Sequence, residues 1–224
     1  MITKTLYSAS LKDIDSAILE IDTENIGKTV LNRPTDRYFY DPWTIKPEYK
    51  GTIWEKLLST LEIPFGEARI VTLPSKTNYV AHSDIDDRYH LNLSGVLCYL
   101  IDIDDNEMHI SVRDGRWYRM DTSRLHTAAN FGNRFRHEIV VRHLLPENQI
   151  EIPVKIKIES KIEDMDEARF AFDYKLSSIL NIGCKKGLVT DFNLTDNGPV
   201  FKCEESFVTE IQNTLDNKLQ MVRL

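Results

Sequence analysis

Residues 91 to 120 read LNLSGVLCYLIDIDDNEMHISVRDGRWYRM, and the fold turns on this stretch. Short β-prone runs, Leu91 to Ile101, Met108 to Val112 and Arg116 to Met120, are set apart by polar segments. Between the last two lies Arg113-Asp114-Gly115-Arg116, and Asp-Gly between two strands predicts a hairpin. Outward from here, Ala68 to Leu73 and Glu138 to His143 have the same texture. Several short strands with no long helix between them predict a mainly β domain, a barrel or jelly roll.

The flanks differ. Leu11, Ile14, Ile18 and Ile21 have helical spacing, and a Pro-, Tyr- and Trp-rich loop (Asn32 to Tyr49) leads to a short helix around Ile53 to Leu61. After Pro146 to Pro153 the pattern changes again. Ile152, Val154, Ile156 and Ile158 alternate with charged residues as a half-exposed strand does. A helix is expected from Asp164 to Leu180, with Met165, Ala168, Phe172, Leu176 and Ile179 on one face. Strands near Leu188 to Phe192 and Val200 to Cys203 flank an Asn197-Gly198 turn, and Phe207, Ile211, Leu215 and Leu219 predict a final helix. The division is therefore a β domain over 1–148 and a small α+β unit over 149–224, in which no catalytic motif is found.

The 224 residues carry 28 Lys+Arg against 35 Asp+Glu, a formal charge of −7. With 42% hydrophobic and 28% charged residues this is a globular composition, and the acidic balance argues against a phosphate-backbone binder. No apolar run approaches the roughly 18 residues of a membrane span, and Met1 to Tyr7 lacks the features of a signal peptide. Cys98, Cys184 and Cys203 are odd in number and widely spaced, which supports neither a disulfide framework nor a zinc finger. A cytoplasmic protein is expected, with the sequons at Asn92 and Asn193 incidental. Neither a nucleic-acid nor a membrane partner is expected, and a homodimer stays open.

All six histidines, His82, His90, His109, His126, His137 and His143, fall in the β-rich stretch. On an extended chain His82 and Asp84 point to the same face and could grip one ion. His126, 44 residues on, is at a distance that returns a strand to the same barrel mouth. Two imidazoles and a carboxylate, arranged facially, form the donor set of non-heme Fe(II) oxygenases. An H-x-D alone is weak, since shuffling this composition yields one about half the time. The context adds to it. Arg136 follows His126 by ten residues, where a guanidinium could bind a dicarboxylate's far carboxylate. Arg134 competes for that role, and Arg136 is preferred for its spacing.

The segment from about Gly66 to His143 resembles the aspartyl/asparaginyl β-hydroxylase family of Fe(II)/2-oxoglutarate-dependent dioxygenases. The resemblance rests on the Pro-containing strand at Leu73-Pro74, the H-x-D, Arg88-Tyr89-His90-Leu91-Asn92-Leu93, the late His126-x-x-x-Asn130 and Arg136. It implies a double-stranded β-helix (jelly-roll, cupin-like) core. It further implies that His82, Asp84 and His126 are iron ligands, that Arg136 holds the far carboxylate of 2-oxoglutarate, and that Arg88 and His90 stand near the cosubstrate's other end. The implied reaction consumes O2 and 2-oxoglutarate, releases succinate and CO2, and hydroxylates a C–H bond, such as that of an Asp or Asn side chain in a peptide, protein or small molecule. The alternative is a cupin-like metal- or ligand-binding protein without turnover.

The remaining features are read as structural. His109, His137 and His143 belong to structure or surface, and Cys98 is a buried thiol. Trp43, Tyr38 and Tyr40 serve packing more readily than a substrate entrance. Asp102 to Glu107 begins like a calcium loop but has Glu107 where glycine is required and Arg113 at the twelfth position. No G-x-S-x-G, P-loop or G-x-G-x-x-G occurs. A zinc hydrolase would leave Arg136 unexplained and lacks a glutamate base beside a metal helix.

Overall fold

A computed structural model describes residues 2–21, 27–146, 153–160, 176–195, 198–215 and 219–224. By contacts the chain divides into two units, Met1–Ala81 with Asp87–Leu144, and Leu145–Leu224 with the short segment His82–Asp86. The first unit runs β1 (Ile2–Ser8), α1 (Leu11–Leu19), β2 (Lys28–Val30), β3 (Asn32–Arg33), β4 (Thr44–Ile45), a 3-10 turn (Pro47–Tyr49) and α2 (Ile53–Ser59). It continues through β5 (Phe65–Leu73), β6 (Thr77–Asn78), β7 (Arg88–Ser94), β8 (Cys98–Asp102), β9 (Glu107–Ile110), β10 (Arg116–Met120), β11 (His126–Asn130) and β12 (Arg136–His143). A six-stranded sheet has the order β1-β10-β7-β12-β5-β2, a four-stranded sheet the order β6-β11-β8-β9, and every pairing is antiparallel. A mainly β unit with these two sheets is consistent with a jelly roll.

The inner strands of the six-stranded sheet are buried on both faces, for different reasons. One face packs on the helices. Ser10 caps α1 by accepting from the Asp13 N–H (3.1 Å), and Thr52 caps α2 by accepting from that of Trp54 (3.2 Å). The helices present Ile14, Ala17, Trp54, Leu57 and Leu58 to Ala68, Ile70, Leu91, Leu93, Trp117, Ile139 and Val141. The other face is polar: Arg88, His90 and Asn92 on β7, and Arg136 and Glu138 on β12, are buried there. Period-two alternation makes the division, since in Arg88-Tyr89-His90-Leu91-Asn92-Leu93 the apolar members join the helix-packed core.

Two expectations for this unit are corrected, and one strand is added. Leu91 to Ile101 is two strands, because the chain turns at Gly95 (φ +121°), where a Cβ would lie 2.5 Å from the Cys98 sulfur. Asp114-Gly115 does make a turn (Gly115 φ +76°), but the strands on either side are not a hairpin. β9 pairs with β8 in one sheet and β10 with β1 and β7 in the other, so the turn carries the chain between sheets. The opening segment is strand β1, held by distant β10, which no local pattern announced.

The second unit contains β13 (Val154–Ser160), α3 (Ser177–Lys185), β14 (Val189–Thr195), β15 (Gly198–Cys203), α4 (Glu205–Thr214) and β16 (Leu219–Arg223). Its antiparallel sheet has the order β14-β15-β13-β16. Ile156, Ile158, Phe192 and Phe201 from the strands, and Leu180, Phe207, Val208 and Ile211 from the helices, are buried. Most of the helix expected over 164–180 lies outside the described residues, as does Asn197 of the expected turn; the described α3 runs past Leu180 to Lys185. The last helix stops at Thr214, and Leu219 belongs to a strand pairing with β13. Strand pairing overrides the four-residue spacing of apolar residues there.

Gly115 tests the inter-sheet turn. Its carbonyl accepts from the Ala9 N–H (2.8 Å), and a Cβ would collide with the Ala9 carbonyl oxygen. Gly115→Ala should cost about 1–3 kcal/mol in urea unfolding. A loss within ~0.3 kcal/mol would show that the turn bears no strain.

Candidate metal centre

Two groups of ligand-type side chains among the described residues could hold a metal ion: His82, Asp84 and His126, and Asp102, Asp105 and Glu107. The second is an acidic corner already engaged by a cation, since the Arg124 guanidinium pairs with Asp102 (3.2 Å) and with Asp105. The first contains the three residues singled out in the sequence.

His82 and Asp84 share one face of the short segment after β6, with Nε2 and Oδ2 3.7 Å apart and both side chains partly exposed. Between them Ser83 is buried, and its hydroxyl hydrogen-bonds that of Ser177 on α3 (2.5 Å). His126 is the first residue of β11, opposite Asp102 on β8, and is 7% exposed. Its Nδ1–H donates to the Arg124 carbonyl (2.9 Å). That bond fixes the tautomer and leaves the lone pair on Nε2, as a metal-binding imidazole requires.

The residues just before the H-x-D are anchored to β11. The Tyr79 N–H donates to the Ala128 carbonyl (3.0 Å), and the Thr127 hydroxyl donates to the Tyr79 carbonyl (2.7 Å). Only Val80 and Ala81 separate Tyr79 from His82. Three peptide steps of 3.8 Å limit that span to about 11 Å. Covalent connection therefore keeps His82 within that reach of Tyr79.

Arg136 opens β12 and is 2% exposed. Its Nη2 donates to Glu138 Oε2 (2.5 Å) and its Nη1 to the Tyr99 carbonyl (3.4 Å), while its Nε–H finds no acceptor among the described residues. Glu138 also meets His90 Nδ1 (3.2 Å) and accepts from the Ser111 hydroxyl (3.1 Å). Asn92 donates to the Ser111 carbonyl. Burial pushes the Glu138 carboxyl up, but the Arg136 guanidinium and His90 outweigh it and hold it down at about 2. Arg88 lies buried on the same face of β7 as His90. Arg134 is exposed in the turn before β12, where its backbone carbonyl accepts from Asn130 (2.8 Å), so of the two arginines only Arg136 enters the interior.

The other histidines are occupied structurally. His137 Nδ1 meets the Thr72 hydroxyl (3.1 Å), His143 stacks on Tyr89, and His109 lies against Tyr118, where burial lowers its pKa. Sequence reasoning missed Glu138, Ser111 and Asn92. A signal for Glu138 was present: it stands two residues from Arg136 on a strand and so must share its face.

No family model matches the chain, and no curated protein matches it. Among solved structures, a crystal structure of CapF with the inhibitor 3-isopropenyl-tropolone is similar over 57% of this chain, at 11% identity and a TM-score of 0.32. The match spans about a third of that structure's chain (34%), a likeness too distant to bear on fold or function.

Glu138 ties the interior to pH. Its carboxyl falls from an ordinary 4.5 to about 2 on folding, so the stability it contributes is complete above about pH 4.5 and is lost as pH drops toward 2. Glu138→Gln should cost about 3 kcal/mol at pH 6 by leaving Arg136 without its counter-ion. Urea midpoints of variant and parent should converge between pH 4.5 and 2.5; a gap independent of pH would refute the assignment.

Proposed function

We propose that this chain is an oxygenase with a double-stranded β-helix core that binds Fe(II) through His82, Asp84 and His126 and uses 2-oxoglutarate as cosubstrate. The observation that carries this reading is order along the fold. Strands β5 to β12 are eight consecutive strands sorted into β10-β7-β12-β5 and β6-β11-β8-β9, the interleaving a double-stranded β-helix requires. Within it the H-x-D follows β6, His126 opens β11 and Arg136 opens β12.

The residues suit both groups. Two neutral imidazoles and one carboxylate favour Fe(II) over Mg2+ or Ca2+, which prefer all-oxygen sites. In the interior, the Nε–H of Arg136 lacks an acceptor among the described residues, as a carboxylate-binding arginine does before its ligand arrives. When bound, iron with 2-oxoglutarate and O2 supplies the oxidising chemistry that hydroxylates a C–H bond and releases succinate and CO2. The chain positions that chemistry. His126 is oriented by the Arg124 carbonyl, Arg136 is held by Glu138 and the Tyr99 carbonyl, and His90 is held by Glu138. An Asp or Asn side chain of a peptide, protein or small molecule is the substrate class to test first.

One observation favours the second reading, a cupin-like metal-binding protein without turnover. Glu138 already neutralises Arg136, so a dicarboxylate would gain hydrogen bonds there but little net charge attraction. Anaerobic titration separates the two. Fe(II) followed by 2-oxoglutarate should give a visible metal-to-ligand charge-transfer band. His82→Ala should abolish it, and Arg136→Ala should raise the 2-oxoglutarate concentration needed at least about tenfold, the loss of one buried charged hydrogen bond. Iron binding without the band selects the binder, and failure to bind iron overturns both readings.

A further inference from the structure

We infer that β9 is a self-complementary docking edge, through which a second copy of this chain adds to the four-stranded sheet in antiparallel register about Ile110. Natural sheets blunt their exposed edges with charges, bulges or very short strands. Among the described residues, the other edges of the three larger sheets carry such devices. β1 has Lys4 and an irregular register, β2 is three residues long with Lys28, and β6 is two residues long. In the second unit, β14 has an irregular register beside Asp191 (φ +50°), and β16 carries Arg223.

The remaining edge runs through β9 and the three residues after it, Ser111 to Arg113, and has none of these along its middle. The Ser111 N–H points to β8, donating to the Cys98 carbonyl (2.8 Å). By alternation, the backbone groups of Met108 and Ile110 face away from β8, along the open edge. Their side chains stand on the outer face, opposite Ile101 and Tyr99, and are 61% and 51% exposed; Val112 continues the row at 45%. Phe131, tilted against Tyr99 at 5.4 Å, extends the apolar surface inward from that row.

The sequence of the edge selects a copy of itself as occupant. Glu107-Met108-His109-Ile110-Ser111-Val112-Arg113 ends in opposite charges. Turned antiparallel about Ile110, it sets Ile110 against Ile110 of the second copy, Met108 against Val112, and Glu107 against Arg113 at both ends. The apolar residues then meet on one face, and backbone groups that point outward meet others that do the same. Each copy carries −7 overall, so like molecules repel at long range and need a locally neutral, complementary contact such as this one. Arg113 also reaches Asp15, but that pair is surface-exposed and yields readily.

Charge reversal tests the register. By sedimentation velocity over a micromolar dilution series, the unmodified chain should dimerise. Glu107→Arg places arginines against arginines and Arg113→Glu places glutamates against glutamates, so each alone should weaken dimerisation at least about tenfold. Mixed in equal amounts, the two variants should form a heterodimer with about the parent's affinity, because both end pairs are then of opposite sign. Circular dichroism checks that each variant keeps the parent's fold. A parent that is monomeric at about 100 μM (a dissociation free energy of only about 5.5 kcal/mol), single variants that still dimerise, or a mixture of folded variants that stays monomeric would each overturn the proposal.

Discussion

A buried carboxylate organises the interior of the first unit. Glu138 is held between the guanidinium of Arg136 and the imidazole of His90, and it accepts from Ser111. An ionised group can occupy such a place only if hydrogen bonds and opposite charge replace the water it has lost. These partners come from strands β12 and β7 and from the residue that follows β9, so the polar network fastens the two sheets together. Apolar packing is concentrated on the other face of the larger sheet, around Trp117, Leu91 and Ile139 against the helices. Cohesion and chemistry are thereby assigned to opposite sides of the same strands. β7 serves both, its Leu91 and Leu93 facing the helices and its His90 and Asn92 facing inward.

Part of this arrangement could be read from the chain. β-Branched and aliphatic runs are visible in sequence, and β12 was legible from Glu138 to His143 for that reason, whereas β7 was read only as part of a longer run to Ile101. The candidate ligands were also legible, because an H-x-D and a late histidine are local patterns. β11 was not. Thr127-Ala128-Ala129-Asn130 has small side chains and modest strand preference, and it becomes a strand because β8 and β6 pair with it from either side. The partner of Arg136 escaped for a related reason. Alternation places Glu138 on the same face but does not reveal that both are sealed from water.

Turns behaved differently from pairings. Asp114-Gly115 turns as its residue types demand, yet the strands it joins belong to different sheets. A dipeptide dictates how the backbone bends and has no say in which strand the emerging segment meets. Leu219 gives the same lesson in the second unit, where spacing suited to a helix gave way to an edge position beside β13. Local conformation follows from local sequence, whereas the choice of neighbour is made by the whole sheet.

The crossing at Gly115 bears on how the chain acquires its structure. Because successive strands alternate between sheets, few of them pair with the next in line. Ile2 lies opposite Met120, and Arg136 opposite Leu73. Large loops must close before these contacts return any energy, and chains of high contact order fold slowly for that reason. On the ribosome, β1 emerges long before β10 exists to receive it, and β5 before β12. The half-made unit therefore spends that interval with open strand edges, a vulnerable state in which it depends on chaperones or dilution to avoid aggregation.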